Sequence, residues 1–293
     1  MHEFLRAIGF SGFRTKKQLK QLTDWVLEKP DSLSIVASDE DPESNLAEAK
    51  REISGNAGIA VVGEIDEKGM MVPEYYFPYI TSACISSDAH LTYERESTRN
   101  AYIGMCEDYR MGMALIFSVS NVGEVVRAAQ ETLLGDGFRE VAFSALAKDG
   151  TVLLPLAQTE KVLKQSREEA EYRTQLMEDA SAGDVEAAEG LAEQEMKRYQ
   201  HVMDRIHESD VFTLVESFFM PFGMESDQYY FLGKILACQE IENELTGEKF
   251  YRMAVESNGM ELAVAINAQD LDGVPAAGAR LKCHAWLLGE MKH

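Results

Sequence analysis

The segment "HVMDRIHESD" at residues 201–210 has the best-spaced set of candidate metal ligands in the sequence. His201, Asp204 and Glu208 lie at positions i, i+3 and i+7, which places them on one face of a helix, with His207 adjoining. Imidazole and carboxylate groups can bind a metal if another segment supplies further ligands. The zinc-hydrolase pattern His-Glu-x-x-His is absent, and a charged helix face explains the same spacing. We therefore expect a solvated helix face, with His201, Asp204 and Glu208 kept as candidate ligands.

Two acidic stretches of the sequence are candidates for calcium binding. Asp270 and Asp272 precede Gly273 in "INAQDLDGVPAAG", and four acids crowd residues 39–43. A calcium loop needs a third spaced oxygen ligand and a closing glutamate, and neither stretch supplies the full set. The glycines and the proline after Asp272 favour a turn between two strands, and residues 39–43 favour a solvated loop. We expect no resident metal and no cofactor.

Motifs for nucleophilic catalysis and phosphate binding are absent. The sequence contains neither Gly-x-Ser-x-Gly nor Gly-x-x-x-x-Gly-Lys-Ser/Thr. The 4 cysteines are isolated, so we expect free thiols, buried at Cys106 and Cys238. His284 follows Cys283 directly, but adjacent residues of a strand point to opposite faces and cannot act as a pair. The sequence therefore favours a protein that is not an enzyme.

Two strand-like segments carry clustered aromatic residues. "PEYYFPY" contains Tyr75 and Tyr76, and "DQYYFLG" contains Tyr229 and Tyr230. Exposed tyrosines can form a surface on which a ligand stacks, whereas a sheet covered on both faces buries them. We expect core packing, and the alternative is an aromatic surface formed by Tyr75, Tyr76, Tyr229 and Tyr230.

The charge balance narrows the class of partner. The 28 basic and 50 acidic residues give a net charge of -22. Nucleic acids and anionic membranes are bound largely through Lys and Arg, so both are disfavoured as partners. No apolar run approaches the roughly 20 residues that span a bilayer, and the first residues lack the apolar core of a signal peptide. We expect a cytoplasmic protein whose partner is another protein, and the charge favours a basic one.

Residues 1–157 predict an α+β domain, mainly an antiparallel sheet with flanking helices. Thr15 and Gln18 have capping-box spacing before an amphipathic helix. "NLAEAKREI" predicts a second short helix and "VGEVVRAAQETLL" a third. Short runs rich in β-branched and aromatic residues, such as "AGIAVVGEI", predict strands. "REVAFSALAKDGTVLLPLA" predicts a hairpin that turns at Asp149 and Gly150.

The rest of the sequence predicts two further units. Residues 158–208 are rich in Glu, Ala, Gln, Lys and Arg and lack proline, which predicts a helical insert or linker. Residues 209–293 contain five apolar-periodic runs separated by turn residues, beginning with "DVFTLVESFFMPFG". Five strands in so short a stretch predict a small β-barrel of the size of an oligonucleotide/oligosaccharide-binding (OB) barrel.

Four segments together resemble a known family. They are "FLRAIGFS", "AGDVEAAEGL", "DVFTLVESFFMPFGMESDQYYFLGKI" and "INAQDLDGVPAAGARLKCHAWLLG", in this order. Over nearly the whole chain they resemble a domain-of-unknown-function family found mainly in clostridial Gram-positive bacteria. That family usually has Lys-Gly before the Trp-Leu segment, whereas Cys283 follows Lys282 here. The resemblance implies a clostridial, cytoplasmic origin and brings no known activity, cofactor or catalytic residue.

Three classes of function remain open. We expect a binding or scaffold protein that acts through protein–protein contacts and is not an enzyme. The alternative is an enzyme with a site between the two β-rich modules, which predicts a pocket that places a carboxylate beside one of the histidines His90, His201 and His207. The third is weak binding of single-stranded nucleic acid by the barrel. It requires three basic residues to converge, namely Arg252, Arg280 and Lys282.

Overall fold

The computed structural model describes residues 3–37, 45–96, 100–131, 137–154, 215–223 and 226–293. Within these ranges the protein is mostly β-structure, with two α-helices and two short 3-10 helices. The α-helices are α1 (Lys16–Glu28) and α2 (Val122–Glu131), and the 3-10 helices are Glu3–Ile8 and Tyr109–Met111.

Fourteen strands are present in the described part of the chain. The first seven are β1 (Ser32–Ala37), β2 (Asn45–Ser54), β3 (Ala57–Ile65), β4 (Met71–Ile80), β5 (His90–Arg95), β6 (Tyr102–Glu107) and β7 (Leu115–Val119). The second seven are β8 (Glu140–Leu153), β9 (Phe218–Pro221), β10 (Gln228–Glu242), β11 (Lys249–Ser257), β12 (Met260–Asn267), β13 (Leu271–Asp272) and β14 (Arg280–Lys292).

Strands β1 to β4 form an antiparallel sheet in chain order, which confirms the antiparallel sheet predicted near the N-terminus. Helix α1 contacts β2, β3 and β4 and buries Leu19, Leu22 and Val26. The predicted capping box is confirmed: the Gln18 N–H donates to Thr15 Oγ1 at 3.3 Å, and the Thr15 N–H donates to Gln18 Oε1 at 3.1 Å. These two bonds satisfy backbone donors that the first turn of a helix leaves without partners.

The segment predicted as a second short helix is strand β2, so that prediction was wrong. Its Ala, Glu and Lys content favours a helix locally, but β2 is paired along both edges, with β1 and with β3. Its Glu48 is buried and accepts hydrogen bonds from the N–H groups of Val122 at 3.2 Å and Gly123 at 3.1 Å. Burial raises the pKa of Glu48. This carboxyl group joins the first sheet to the N-terminal turn of α2.

Five strands close into a barrel. β10 pairs with β11 and β14, β11 pairs with β12, and β8 pairs with β14, all antiparallel. The parallel pair of β12 and β8 completes the ring. The sheet continues beyond the barrel from β14 through β7 and β6 to β5, while β9 pairs with the first part of β10. A closed ring leaves none of its strands with a free edge.

Strand β8 differs from its prediction in two ways. It runs from residue 140 to 153 as one strand paired with β14, so the predicted hairpin at Asp149 and Gly150 was wrong. Long pairing with β14 outweighs the local turn preference of Asp-Gly, and the only irregularity is a bulge opposite His284 and Ala285. In addition, β8 supplies the fifth barrel strand from the region before residue 157. Of the run "DVFTLVESFFMPFG", residues 218–221 instead form β9, outside the closed ring.

One hydrophobic cluster runs through the first sheet, the helices and the barrel. The 3-10 helix at Glu3–Ile8 contributes the buried side chains of Phe4, Leu5 and Ile8 and contacts β8 and β12. The Phe4 ring stacks on the Trp286 indole, with 5.5 Å between centroids. No helix among the described residues is long and apolar enough to cross a membrane. The predicted helical insert at 158–208 lies outside the described residues.

Candidate functional site

The candidate metal ligands His201, Asp204 and Glu208 lie outside the described residues, as do the acids at 39–43. Within the described ranges, His, Cys, Asp and Glu side chains form no group of three or more that could hold a metal ion. His90 lies 3.6 Å from Glu107, measured from Nδ1 to Oε2, and both side chains are more than half exposed on the outer strands β5 and β6. This pair therefore lies on an open surface.

The four candidate tyrosines do not form one surface. Tyr75 and Tyr76 lie on β4 and are half-buried, and the Tyr75 hydroxyl donates to the Asn100 carbonyl at 2.9 Å. Tyr229 is buried on β10: its hydroxyl donates to the Ile116 carbonyl at 3.0 Å and accepts from the Ile116 N–H at 2.7 Å. Of these four tyrosines only Tyr230 is exposed, with 37 % of its surface accessible.

Tyr230 lies in a row of side chains that crosses four strands. Asp149 on β8 is opposite His284 on β14, His284 is opposite Tyr230 on β10, and Tyr230 is opposite Met220 on β9. Because directly opposite residues of paired strands share a face, these four side chains lie on the same side of the sheet. Asp149 and Tyr230 are exposed, whereas His284 and Met220 are buried.

Phe222 completes an aromatic group around His284. It follows β9, and its N–H donates to the Gln228 carbonyl at 2.8 Å, which fixes its backbone. The Phe222 ring meets Tyr230 edge to face, with centroids 5.4 Å apart, and lies 4.4 Å from the imidazole of His284. The Tyr230 ring lies 4.7 Å from the same imidazole. We call Phe222, Tyr230 and His284 the aromatic face.

His284 is a neutral platform at the base of the aromatic face. Its Nε2 lies 3.1 Å from Gln228 Oε1, within hydrogen-bonding distance. Burial lowers the pKa of His284, and the carboxylate of Asp149 opposes this shift only in part. An imidazole with a pKa below its usual value of about 6.5 is uncharged at pH 7. The aromatic face therefore contains no charged imidazole beneath its two exposed rings.

A polar cluster around Asp108 links separate segments of the fold. Ser87 Oγ donates to Asp108 Oδ2 at 2.6 Å, and Arg110 Nε donates to Asp108 Oδ1 at 3.0 Å. Arg110 also donates to the carbonyls of Ser86 at 2.8 Å and Gly259 at 2.9 Å. Burial would raise the pKa of Asp108, but the hydrogen bonds from Arg110 and Ser87 lower it below its usual range. The cluster therefore joins the segment before β5 to the turn between β11 and β12.

The thiols lack nucleophilic character. All four cysteines are free. Burial raises the pKa of Cys106 to about 11 and that of Cys283 well above its usual value. Because the thiolate is the reactive species, neither side chain is a candidate nucleophile at neutral pH. Cys106 is buried as predicted, whereas Cys238 is only partly buried.

The run "INAQDLDG" anchors the N-terminal segment. Asp270 forms an ion pair with Arg6, and the side-chain amide of Asn267 donates to the Arg6 carbonyl at 3.1 Å. The same amide donates to Glu248 Oε2 at 3.0 Å, and Ser11 Oγ donates to Glu248 Oε1 at 2.8 Å. These contacts hold "FLRAIGFS" against the barrel, so two of the four segments that carry the family resemblance are partners in the fold.

The three basic residues that nucleic-acid binding would require have different environments in the structure. Arg280 is buried, and its guanidinium donates to the carbonyls of Leu154 at 3.0 Å and Val215 at 2.8 Å. Arg252 lies on β11 and donates to the Thr81 carbonyl at 2.9 Å. Lys282 shares β14 with Arg280, and burial lowers its pKa. Arg280 and Arg252 are thus both bonded to backbone carbonyls of other segments.

Phe222 and His284 are the members of the aromatic face that the sequence did not indicate. Phe222 lies in "MPFG", whose proline and glycine favour a turn, and His284 was considered only as a neighbour of Cys283. The single sequence signal was the alternation of "QYYF", which sends Tyr229 and Tyr230 to opposite faces of a strand.

One known family matches nearly the whole chain. The family described as "Domain of unknown function, E. rectale Gene description (DUF3881)" matches residues 5–289 of the 293. No curated protein and no solved structure shows significant similarity to the chain. The matched residues include both sheets, the aromatic face and the contacts between the N-terminal segment and the "INAQDLDG" run. The protein therefore belongs to the DUF3881 family.

Proposed function

We propose that the protein is a non-enzymatic binding protein and that its aromatic face contacts another protein. The observation that carries this proposal is the exposure of two large rings on a fixed base. Phe222 is 48 % exposed and Tyr230 is 37 % exposed, and both lie against the buried imidazole of His284. Rigid, partly exposed aromatic side chains are the residue type most often responsible for binding energy at protein interfaces.

The surroundings of the rings also support a binding role. Tyr230 is paired on both sides, with Met220 and with His284, so its backbone position is fixed before any partner arrives. A preformed contact costs little conformational entropy on association. The described residues offer no reactive thiolate, and the polar cluster around Asp108 makes hydrogen bonds that link segments of the fold. These features favour binding over catalysis.

The proposal is tested by removing the two rings. We expect the double variant Phe222→Ala/Tyr230→Ala to lose a protein that cross-links to the wild-type chain in cells, as measured by quantitative mass spectrometry. Tyr109→Ala is the matched control, because Tyr109 is an aromatic residue that is 68 % exposed on a different element. A cross-linked set that is the same for wild type and the double variant would contradict the proposal.

Binding of single-stranded nucleic acid is a second candidate, and the topology of the barrel favours it. The strands pair in the cyclic order β10, β11, β12, β8, β14, with one parallel pair between β12 and β8. An OB barrel has this cyclic order, with the strand that corresponds to β8 placed last in the chain instead of first. We infer an OB-like barrel with a permuted chain order, and such barrels commonly bind single strands through stacked aromatics.

Fluorescence polarisation with single-stranded oligonucleotides at low salt tests this second candidate. We expect at most weak, saturable binding, because the net charge of -22 opposes an anionic ligand. Binding that Tyr230→Ala reduces would support it. Fluorescence polarisation that does not change as wild-type protein is added would refute this candidate function.

A further inference from the structure

We propose that the aromatic face recognises a lysine- or arginine-bearing segment of its protein partner. This inference rests on the proposed function and specifies the chemistry of the partner. The Phe222 and Tyr230 rings meet at 76°, so one presents its edge where the other presents its face. Between them they offer a π-surface to a cation that approaches from solvent, and a cation is attracted to the face of an aromatic ring.

The neighbouring charges complement a cation. Asp149 is exposed beside His284, and its negative charge partly offsets the effect of burial, which lowers the pKa of both His284 and Lys282. The nearby Lys148 forms an ion pair with Glu3, with Nζ 3.0 Å from Oε2. Asp149 is two strands away from Tyr230, which corresponds to roughly 10 Å. An extended segment with two basic side chains can therefore place one cation over the rings and the other on Asp149.

The other basic groups near this face do not repel such a segment strongly. Arg280 is buried and its guanidinium is bonded to the carbonyls of Leu154 and Val215. Lys282 is half-buried, burial lowers its pKa, and the carboxylate of Asp149 lies close enough to act on its charge. His284 is held neutral by burial.

The charge of the whole molecule acts in the same direction. A net charge of -22 attracts a basic segment over a distance set by the ionic strength and repels an acidic one. An uncharged apolar partner would use the rings but would gain nothing from Asp149 or from this field. The combination of exposed rings, an exposed carboxylate and a strongly acidic chain therefore favours a cationic partner.

The experiment measures binding of a fluorescein-labelled peptide of alternating Lys and Ser by anisotropy, with the full-length protein. A peptide of alternating Gln and Ser is the ligand control. We expect the Lys peptide to bind and the Gln peptide not to bind. We expect Phe222→Ala/Tyr230→Ala to weaken binding about tenfold. Asp149→Asn should weaken it about threefold, since an exposed ion pair contributes little.

Matched variants separate the site from the general acidity of the chain. Tyr109→Ala removes an exposed aromatic and Asp272→Asn an exposed acid outside the aromatic face, and we expect both to bind like wild type. Unchanged thermal unfolding midpoints would show that all variants fold. If the Lys peptide fails to bind wild type, or binds the double variant equally well, the inference is overturned.

The two proposals can fail separately. If the double variant loses its cross-linked protein partner but the Lys peptide does not bind, the aromatic face is a contact surface and its cationic specificity is refuted. If the Lys peptide binds in a ring-dependent manner but the cross-linked set is unchanged, the specificity stands and the cellular role of the face as a protein contact is refuted.

Discussion

Tyr229 and Tyr230 show how adjacent, identical side chains acquire opposite roles. Both lie on β10, where successive side chains point to opposite faces. The hydroxyl of Tyr229 bonds both backbone groups of Ile116 on β7, and burial raises its pKa above the usual range. Tyr230 is exposed and belongs to the aromatic face. The alternation was predictable from "QYYF", but which tyrosine faces the core depends on strands that are distant in sequence.

At the residue scale, we expect Tyr229→Phe to destabilise the protein by about 1–3 kcal/mol. The substitution leaves the Ile116 N–H and carbonyl without the hydroxyl that satisfies them, and a buried polar group without a partner carries a cost of this size. Urea unfolding followed by circular dichroism measures the change. The matched control is Tyr230→Phe, whose hydroxyl is lost from an exposed ring, with an expected change within about 0.5 kcal/mol. Equal effects of the two variants would contradict the assignment of roles.

His284 provides a second prediction at this scale, on pH dependence. Because the folded-state pKa is lowered by burial, the folded protein binds fewer protons than the unfolded chain between that pKa and the usual value of about 6.5. Stability from this group is therefore present above pH 6.5 and is lost as the pH falls through the window below it. We expect unfolding free energies measured from pH 7 to 5 to fall less steeply for His284→Gln than for wild type. A slope for His284→Gln parallel to that of wild type would refute the prediction.

At the scale of elements, features that depend on residues close in sequence could be predicted. Features that depend on pairing between distant strands could not. The start of α1 depends on Thr15 and Gln18, which are close in sequence, and the capping box was found correctly. Strand β2 and the uninterrupted β8 were missed, because their form depends on pairing with β3 and β14. A helix-favouring composition in β2 and an Asp-Gly pair in β8 are both outweighed by these ladders. The same reason hid the aromatic face, which comes together only when β9, β10 and β14 pair.

Arg280 gives a prediction at the scale of elements, since its guanidinium holds the end of β8 to the segment before β9. It bonds the carbonyls of Leu154 and Val215 from one planar group. A lysine ammonium cannot reproduce that fork of donors. We expect Arg280→Lys to lower the free energy of unfolding by about 1–3 kcal/mol in urea titrations. Arg127→Lys, which alters an exposed donor to Ser34 Oγ, should change it by about 0.5 kcal/mol or less. An unchanged free energy of unfolding for Arg280→Lys would show that stability does not depend on the guanidinium contacts with Leu154 and Val215.

At the scale of the whole molecule, one hydrophobic cluster extends through both sheets and the helices, and a small second cluster lies between β9 and β10. The two tryptophans report on its two parts, because Trp25 lies on α1 beside the first sheet and Trp286 lies on the barrel strand β14. A shared core predicts cooperative unfolding. We expect the single-tryptophan variants Trp25→Phe and Trp286→Phe to show coincident fluorescence transitions in urea. Two separated midpoints would instead support independent domains with a boundary near the sequence-predicted one at 157.

The order of the barrel strands has a consequence for the newly synthesised chain. β8 is made well before its partner β14, and β14 also holds β10 and β7. On the ribosome, β8 therefore lacks its partner β14, and the backbone groups along that edge lack their hydrogen bonds, until all intervening residues have been synthesised. Such exposed strands invite association with other chains, and pairing partners far apart in sequence fold slowly. We therefore expect expression in a host with limited chaperone capacity to yield a larger insoluble fraction, measured by sedimentation of the lysate, even though the finished barrel is closed.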